Sequence, residues 1–144
     1  MSSLQRIAAV VLGISVLAGC SSTTSIDSLG VGDCFSGPEA SVVATEVSEV
    51  DTVDCSDPHR YEMFAVKEMT NSSFPGESQA ADMADDFCLS SFKSYVGLDY
   101  DNSIYWISSV SPTSDSWSRG DRSIQCALGL DYGSKVGSAR NSRE

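Results

Sequence analysis

The chain has 144 residues and a formal net charge of −11 at pH 7. A chain of this length is sufficient for one domain with one modest hydrophobic core. Its acidity repels phosphate groups, so the composition argues against binding to nucleic acid or to anionic lipid headgroups. The same acidity keeps a small domain soluble and, by itself, indicates no particular partner.

The N-terminal residues have the composition of a lipoprotein signal peptide. Arg6 precedes an apolar run from Ile7 to Ala18, which at about 12 residues is too short to cross a bilayer. The tetrapeptide Leu17-Ala18-Gly19-Cys20 matches a lipobox, whose cysteine receives a diacylglyceryl group and becomes the first mature residue. An ordinary secretory signal is the alternative, but a cysteine followed by serines favours the lipoprotein. We therefore expect a lipid anchor, palmitate included, on Cys20, at the outer face of the bacterial cytoplasmic membrane.

Three further segments are predicted after a signal peptide at 1–19. Residues 20–29 are small, polar and without periodicity, which is typical of a flexible tether. Residues 30–132 carry the apolar patterns of a single folded domain. Residues 133–144 lack apolar periodicity and carry basic side chains, so we expect a disordered tail. Loss of Arg6 with the signal peptide changes the formal net charge from −11 to −12.

Four segments of the domain are rich in β-branched and aromatic residues, which is typical of strands. These predicted strands are 41–47, 61–69, 104–110 and 122–130. In the last strand, alternate residues share one apolar face because side chains in a strand point to opposite sides in turn. That face comprises Ile124, Cys126, Leu128 and Leu130.

Residues 79–94 are predicted to form the one main helix, with Ser78 as its N-cap. At about 100° per residue, one side of this helix is apolar, and we expect it to face the sheet. That side comprises Ala80, Ala81, Ala84, Phe87, Cys88 and Phe92. The predicted fold class is therefore α+β, with a small antiparallel sheet of about four to five strands packed against one helix.

The cysteines that remain once Cys20 is assigned to the lipid are Cys34, Cys55, Cys88 and Cys126. An even number of cysteines in a small exported domain is typical of disulfides. A zinc site is disfavoured because there is no C-x-x-C pair and one histidine, so we predict no metal and no cofactor. Of the three possible pairings, we predict Cys34–Cys55, which flank one local segment, and Cys88–Cys126, which both face the helix–sheet interface.

His59 is the only histidine and the one candidate for acid–base chemistry, with Asp57 nearby. The chain has no G-x-S-x-G elbow, and Cys55 is better explained as a disulfide partner than as a nucleophile. We therefore predict no catalytic residue. In this interpretation His59 lies in a turn beside Pro58 and is hydrogen-bonded to the backbone.

Trp117, Arg119 and Arg122 form a possible interaction surface. An aromatic face beside planar guanidinium groups contacts glycans or peptides efficiently. In the alternative, which we favour, Trp117 covers the edge of the core and Gly120-Asp121 makes the turn into the last strand.

Several short motifs follow one another along the chain in an informative order. They are Gly32-Asp33-Cys34-Phe35, Cys55-x-x-Pro58-His59, Phe74-Pro75-Gly76, a helical Cys88 and Trp117-x-x-Gly120-Asp121-Arg122-x-x-x-Cys126. Together, over roughly residues 30–130, they resemble the septum-formation family. This resemblance implies a small extracytoplasmic domain of actinobacteria, found as a lipoprotein or fused to membrane segments. It also implies a role in cell division or envelope growth, without recognised catalytic residues.

These observations predict a membrane-anchored lipoprotein whose extracytoplasmic domain binds an envelope protein or a cell-wall component and is not an enzyme. The membrane is contacted through the lipid on Cys20, and no nucleic acid is expected as a partner. One alternative is an envelope hydrolase that uses His59. Another is a carrier of a small apolar ligand, which needs a cavity in the core.

Overall fold

A computed structural model describes residues 22–37 and 49–144 of the chain. The signal peptide, Cys20 and the strand predicted at 41–47 lie outside the described residues. The elements in chain order are β1 (Ser22–Ser25), β2 (Cys34–Ser36), β3 (Glu49–Val53), β4 (Tyr61–Glu68), α1 (Glu77–Val96), β5 (Trp106–Val110), α2 (Ser114–Ser118) and β6 (Ser123–Gly129). Short 3-10 helices occupy Ile26–Ser28 and Tyr100–Asn102. None of the helices in the described ranges is long and apolar enough to span a bilayer.

The described strands form one antiparallel sheet of six strands in the order β1-β3-β2-β4-β6-β5. The α+β class is thus confirmed, with more strands than the four to five expected. The strands predicted at 61–69, 104–110 and 122–130 correspond to β4, β5 and β6. The additional strands have three to five residues each, which is too short for apolar alternation to identify a strand in a sequence.

Strand β6, which lies between β4 and the edge strand β5, is buried on both sides of the sheet. Ile124, Cys126 and Leu128 pack with α1 on one side, as the alternation predicted, and Leu130 is partly buried against them. Ala127 belongs to a second apolar cluster on the opposite side. The sheet is therefore the middle layer of the domain. Helix α1 packs on one side, and the buried residues Ile26 and Leu29 pack on the other.

The helix is longer than predicted and begins at a different cap. It covers Glu77–Val96, and its N-cap is Gly76, whose φ of 98° suits a glycine. The prediction that Ser78 is the N-cap is therefore wrong. Gly97 ends the helix in the left-handed conformation.

The buried stripe of α1 recurs every fourth residue. Its buried members are Ala80, Ala84, Cys88, Phe92, Tyr95 and Val96. Ala81 is exposed and was wrongly placed on this face, because it lies about 100° around the helix from Ala80. Phe87 is half-buried at the edge of the stripe.

Both predicted disulfides are present. Cys34–Cys55 connects β2 to the loop after β3 with a Cα–Cα distance of 5.3 Å. Cys88–Cys126 connects α1 to β6 with a Cα–Cα distance of 5.4 Å. The second bond is sealed in the core, whereas Cys55 of the first is half-buried at the surface. The two bonds therefore differ in their access to solvent.

The predicted flexible tether is wrong from residue 22 onward. β1 pairs with β3, and the Thr23 hydroxyl donates to the Asp51 carboxylate at 3.0 Å. Ile26 is buried, and its carbonyl accepts a 2.8 Å hydrogen bond from the Gln125 side chain of β6. This polar segment is ordered by hydrogen bonds to distant residues.

The predicted disordered tail at 133–144 is also wrong. Lys135 forms a two-way backbone bridge with His59, at 2.9 and 2.8 Å. Asn141 N–H donates to the carbonyl of Tyr95 at 2.8 Å, and Ala139 is completely buried. Backbone hydrogen bonds hold this segment in place. Because it carries few apolar side chains, it has no hydrophobic pattern from which its structure could be predicted. We call residues 135–144 the C-terminal segment.

Candidate functional site

The carboxylate of Glu62 lies at the centre of a buried polar cluster. Glu62 is in β4 and has no exposed surface. Its Oε1 accepts hydrogen bonds from Tyr95 Oη at 2.6 Å and Ser138 Oγ at 2.5 Å, and its Oε2 accepts one from Ala139 N–H at 2.6 Å. A buried carboxylate is costly without such partners, and these bonds compensate for the lost water. The term buried polar cluster here denotes the buried residues Glu62, His59 and Tyr95 with two residues at their edge, the half-buried Lys135 and the exposed Ser138.

His59 is positioned by the loop that precedes β4. It is 1% exposed, and its Nδ1 lies 2.8 Å from the carbonyl of Asp57. Because a carbonyl only accepts, Nδ1 is the donor of this hydrogen bond, and in the neutral tautomer that donates from Nδ1 the lone pair lies on Nε2. Nε2 is buried and has no hydrogen-bond partner within the described part of the chain. His59 is thus hydrogen-bonded to the backbone, as expected. Asp57 contacts the ring through its backbone carbonyl and not through its carboxylate.

The same loop is organised by Asp54. Its carboxylate accepts a 2.8 Å hydrogen bond from the backbone N–H of Ser56, and its carbonyl accepts one from Asp57. The Ser56 bond lowers the pKa of Asp54 because it stabilises the charged form. These turn bonds hold the chain between Cys55 and His59 in one conformation.

Lys135 brings a positive charge to the buried polar cluster. Its Nζ is buried without a hydrogen-bond partner in the described residues and lies 5.0 Å from the centre of the Tyr105 ring. Burial lowers the pKa of Lys135, while the negative charges of Glu62 and Glu144 act in the opposite direction. The charge of Glu62 therefore acts on Lys135 against the effect of burial.

Two buried tyrosines act as hydrogen-bond donors around this charge pair. Burial, together with the hydrogen bond to Glu62, raises the pKa of Tyr95 to about 12. Burial and a 2.8 Å bond to Glu144 raise the pKa of Tyr105 to about 12 as well. Both hydroxyls therefore stay protonated at neutral pH and donate to carboxylates.

One subset of these residues has the composition of a metal site. The Cys34 sulfur, a ring nitrogen of His59 and a carboxylate oxygen of Glu62 all lie within 4.8 Å of one another. Register explains the proximity, since Cys34 is opposite Glu62 in the β2–β4 pair. In this structure the Cys34 sulfur is bonded to Cys55, so it is not free to bind a metal.

The tryptophan cluster forms part of the core. Trp117 is 8% exposed and packs against Phe74, with ring centres 5.6 Å apart. Arg122 lies over the indole at 3.6 Å and donates to the Trp117 carbonyl, while Arg119 pairs with Asp115. The proposed interaction surface is therefore corrected: the Trp117 face is covered by the protein itself. The alternative interpretation, in which Trp117 covers the core edge, is the one the structure supports.

Two clefts lie on the surface of the described part of the chain. One, of about 240 Å³, is lined by residues of β1, β2 and β3, among them Thr24 and Thr52, and by loop residues that include Asp33. The other, of about 360 Å³, follows α1 and includes Ser94 and Arg140. Both are open to solvent and contain polar groups, whereas a carrier of a small apolar ligand requires an enclosed apolar cavity.

Four residues of this cluster were not predicted from the sequence as site residues: Glu62, Tyr95, Lys135 and Ser138. One signal was available: Glu62 stands in an apolar strand between Tyr61 and Met63. A charge in such a position requires buried partners. The partners lie 33 to 77 residues away along the chain, so the sequence does not identify them.

A known protein family covers most of the folded domain. The family model described as Septum formation matches residues 31–142. No curated protein and no solved structure is detectably similar to the chain. The matched range includes both disulfides, the buried polar cluster and most of the C-terminal segment. The chain therefore belongs to the septum formation family.

Proposed function

We propose that the mature chain is a lipid-anchored interaction domain that acts in cell division at the outer face of the bacterial cytoplasmic membrane. Membership of the septum formation family, over residues 31–142, is the observation that carries the link to division. Leu17-Ala18-Gly19-Cys20 supports the lipid anchor. The proposed partner is another envelope protein or a cell-wall component.

The burial of the acid–base groups supports a binding role without catalysis. His59 is 1% exposed and Glu62 is 0% exposed. A general acid or base must come within hydrogen-bond distance of its substrate, and the burial of both side chains argues against such a contact. The buried polar cluster instead joins β4, α1 and the C-terminal segment, and so maintains the shape of a binding surface.

The position of β1 supports a defined orientation at the membrane. β1 begins at Ser22, two positions after Cys20. Those two positions span at most about 7 Å, so a lipid on Cys20 would hold the β1 edge of the sheet close to the bilayer. β5 is the opposite edge, at about 24 Å for strands spaced about 4.8 Å apart. A partner would therefore approach from the β5 side.

Depletion in dividing cells tests this function. We expect cells that lose the chain to form fewer or misplaced septa, and wild-type chain supplied in trans to restore them. Cys20→Ser should fail to restore septa, because the domain would no longer be held at the membrane. Mass spectrometry of the mature N-terminus provides the control for anchoring and should detect a diacylglyceryl group on Cys20. Normal septation in the depleted cells would overturn the proposal.

A further inference from the structure

Four potential metal ligands converge at one end of β2 and β4. The Cys34 sulfur, a His59 ring nitrogen and a Glu62 oxygen lie within 4.8 Å of one another. The Cys55 sulfur is bonded directly to Cys34 and is the fourth member. Two sulfurs, one imidazole and one carboxylate are a donor set that suits zinc. In this structure the disulfide occupies both sulfurs.

His59 has the orientation of a metal-binding histidine. The Asp57 carbonyl, 2.8 Å away, accepts from Nδ1, so in the neutral ring the Nε2 lone pair is the one that can bind a metal. Histidine ligands in metal sites usually donate their other ring N–H in this way. Nε2 is buried without a partner in the described residues, which leaves one polar atom of a 1%-exposed side chain unsatisfied.

Glu62 retains capacity for one further partner. Its Oε1 accepts two hydrogen bonds, from Tyr95 and Ser138. Its Oε2 accepts one bond, from Ala139, and a carboxylate oxygen has two lone pairs. A metal can therefore bind Oε2 while the existing hydrogen bonds orient the carboxylate. Zn²⁺ and two thiolates together are neutral, so the net charge of the site is the same as that of the disulfide form.

We propose that reduction of Cys34–Cys55 opens a zinc site formed by both cysteines, His59 Nε2 and Glu62 Oε2. A dithiol reductant supplies two electrons and two protons: the S–S bond breaks, two thiols form, and the reductant becomes a disulfide. Zn²⁺ then displaces both thiol protons to solvent and binds two thiolates, one nitrogen and one oxygen. A metal cross-link thereby replaces the covalent cross-link between β2 and the loop after β3, and it also includes β4 through Glu62.

Access to solvent makes this bond the one that a reductant reaches. Cys55 is half-buried, and its neighbours Asp54 and Ser56 are exposed. Cys88 and Cys126 are both 0% exposed, so their bond is shielded by the core. Thiol attack requires access to a sulfur, so the first bond should open well before the second. The second bond is the internal control.

The test uses the mature chain with Cys20→Ser, so that no thiol outside the two disulfides is available. A phosphine reductant opens the accessible bond, and peptide mapping after alkylation identifies which thiols are free. Co²⁺ is then titrated into the folded chain. We expect thiolate-to-cobalt absorption only after reduction, saturating at a single ion per chain and abolished by Zn²⁺. Zinc should also protect Cys34 and Cys55 from alkylation.

Two variants separate this site from adventitious binding. His59→Ala should weaken Co²⁺ binding by at least about tenfold. Glu68 is an exposed residue of β4, the strand that contains Glu62, and Glu68→Gln should leave Co²⁺ binding unchanged. Equal binding by His59→Ala would overturn the proposal. Absence of cobalt absorption in a reduced chain that keeps its circular dichroism would do so too. So would a chain that unfolds when this bond opens and does not refold on addition of zinc.

Discussion

The hydroxyl of Tyr95 donates a 2.6 Å hydrogen bond to the carboxylate of Glu62, and this contact joins α1 to β4 inside the domain. Ser138 and Ala139 bind the same carboxylate from the C-terminal segment. A single side chain therefore connects the sheet, the helix and the last residues of the chain. Because all three donors are directed at one charge, its loss would leave them without an acceptor.

Glu62→Ala should lower the free energy of unfolding by about 3 kcal/mol, because it leaves several buried donors unsatisfied. Urea unfolding of the variant and the parent measures this difference. Glu68→Ala is the matched control, since Glu68 is exposed in the same strand, and it should change the value by less than about 0.5 kcal/mol. Equal effects of the two substitutions would show that the buried carboxylate does not stabilise the fold.

The C-terminal segment should be protected from hydrogen exchange. The amides of Ala139, Asn141 and Arg143 donate to Glu62, Tyr95 and Val96, respectively. Exchange of a bonded amide requires local opening, so each should exchange more slowly than in an unstructured peptide. Glu62→Ala should accelerate exchange at Ala139 first. Exchange of all three amides at the unstructured rate would restore the interpretation of this segment as a disordered tail.

Stability should fall as the pH rises from about 10 toward 12, because Tyr95 keeps its proton in the folded state up to a pKa of about 12. In the unfolded chain the tyrosine ionises near pH 10, so over this range the unfolded state holds fewer protons and becomes favoured. The stabilisation is complete below pH 10 and lost above the folded pKa. The free energy of unfolding, measured across this pH range, should decrease. The decrease should be smaller in Tyr95→Phe.

Glu62→Gln gives a second test of the same tyrosine. The hydrogen bond to Glu62 and its negative charge contribute to the raised pKa, whereas burial contributes most. The tyrosinate absorbance of Tyr95 is obtained as the difference between a chain with Tyr95 and the same chain with Tyr95→Phe. Measured in this way, it should appear at lower pH in Glu62→Gln than in the parent. Its midpoint should remain above that of a free tyrosine, since burial persists. An unchanged midpoint would mean that Glu62 does not perturb Tyr95 in solution.

His59→Ala should cost about 1 kcal/mol of stability, which is typical of a lost hydrogen bond. If the domain binds without catalysis, division in cells carrying this variant should follow the amount of protein at the membrane. Quantitative immunoblotting of membrane fractions beside septum counts measures both quantities. A variant present at normal levels that nevertheless abolishes septation would favour the hydrolase alternative.

The strands were predicted from segments rich in β-branched and aromatic residues, and in the last strand and the main helix the apolar residues also repeat with the period of the element. Alternation in 122–130 located β6, and the stripe of small and aromatic residues located α1. The same patterns predicted Cys88–Cys126, because these cysteines lie on the facing sides of the two elements, whereas Cys34–Cys55 was predicted because the two cysteines flank one local segment. Where burial of apolar side chains determines structure, the sequence pattern is readable.

The missed features are held by polar contacts between distant residues. β1 is a polar strand that pairs with β3, and the C-terminal segment is fixed by backbone groups and by Glu62. Such contacts leave no periodic signal, since any residue contributes the same backbone N–H and C=O. The start of α1 shows the same limit: Gly76 caps the helix through its backbone, although Ser78 has the better capping side chain.

Localisation in dividing cells tests the central claim, that this is an anchored envelope domain of cell division, most directly. The measurement is the distribution of a fluorescent fusion of the full chain, compared with the same fusion carrying Cys20→Ala. We predict that the parent fusion is confined to the membrane and enriched at septa, and that Cys20→Ala is lost from both. An even distribution along the membrane with no enrichment at septa, or one that does not change with Cys20→Ala, would contradict the account.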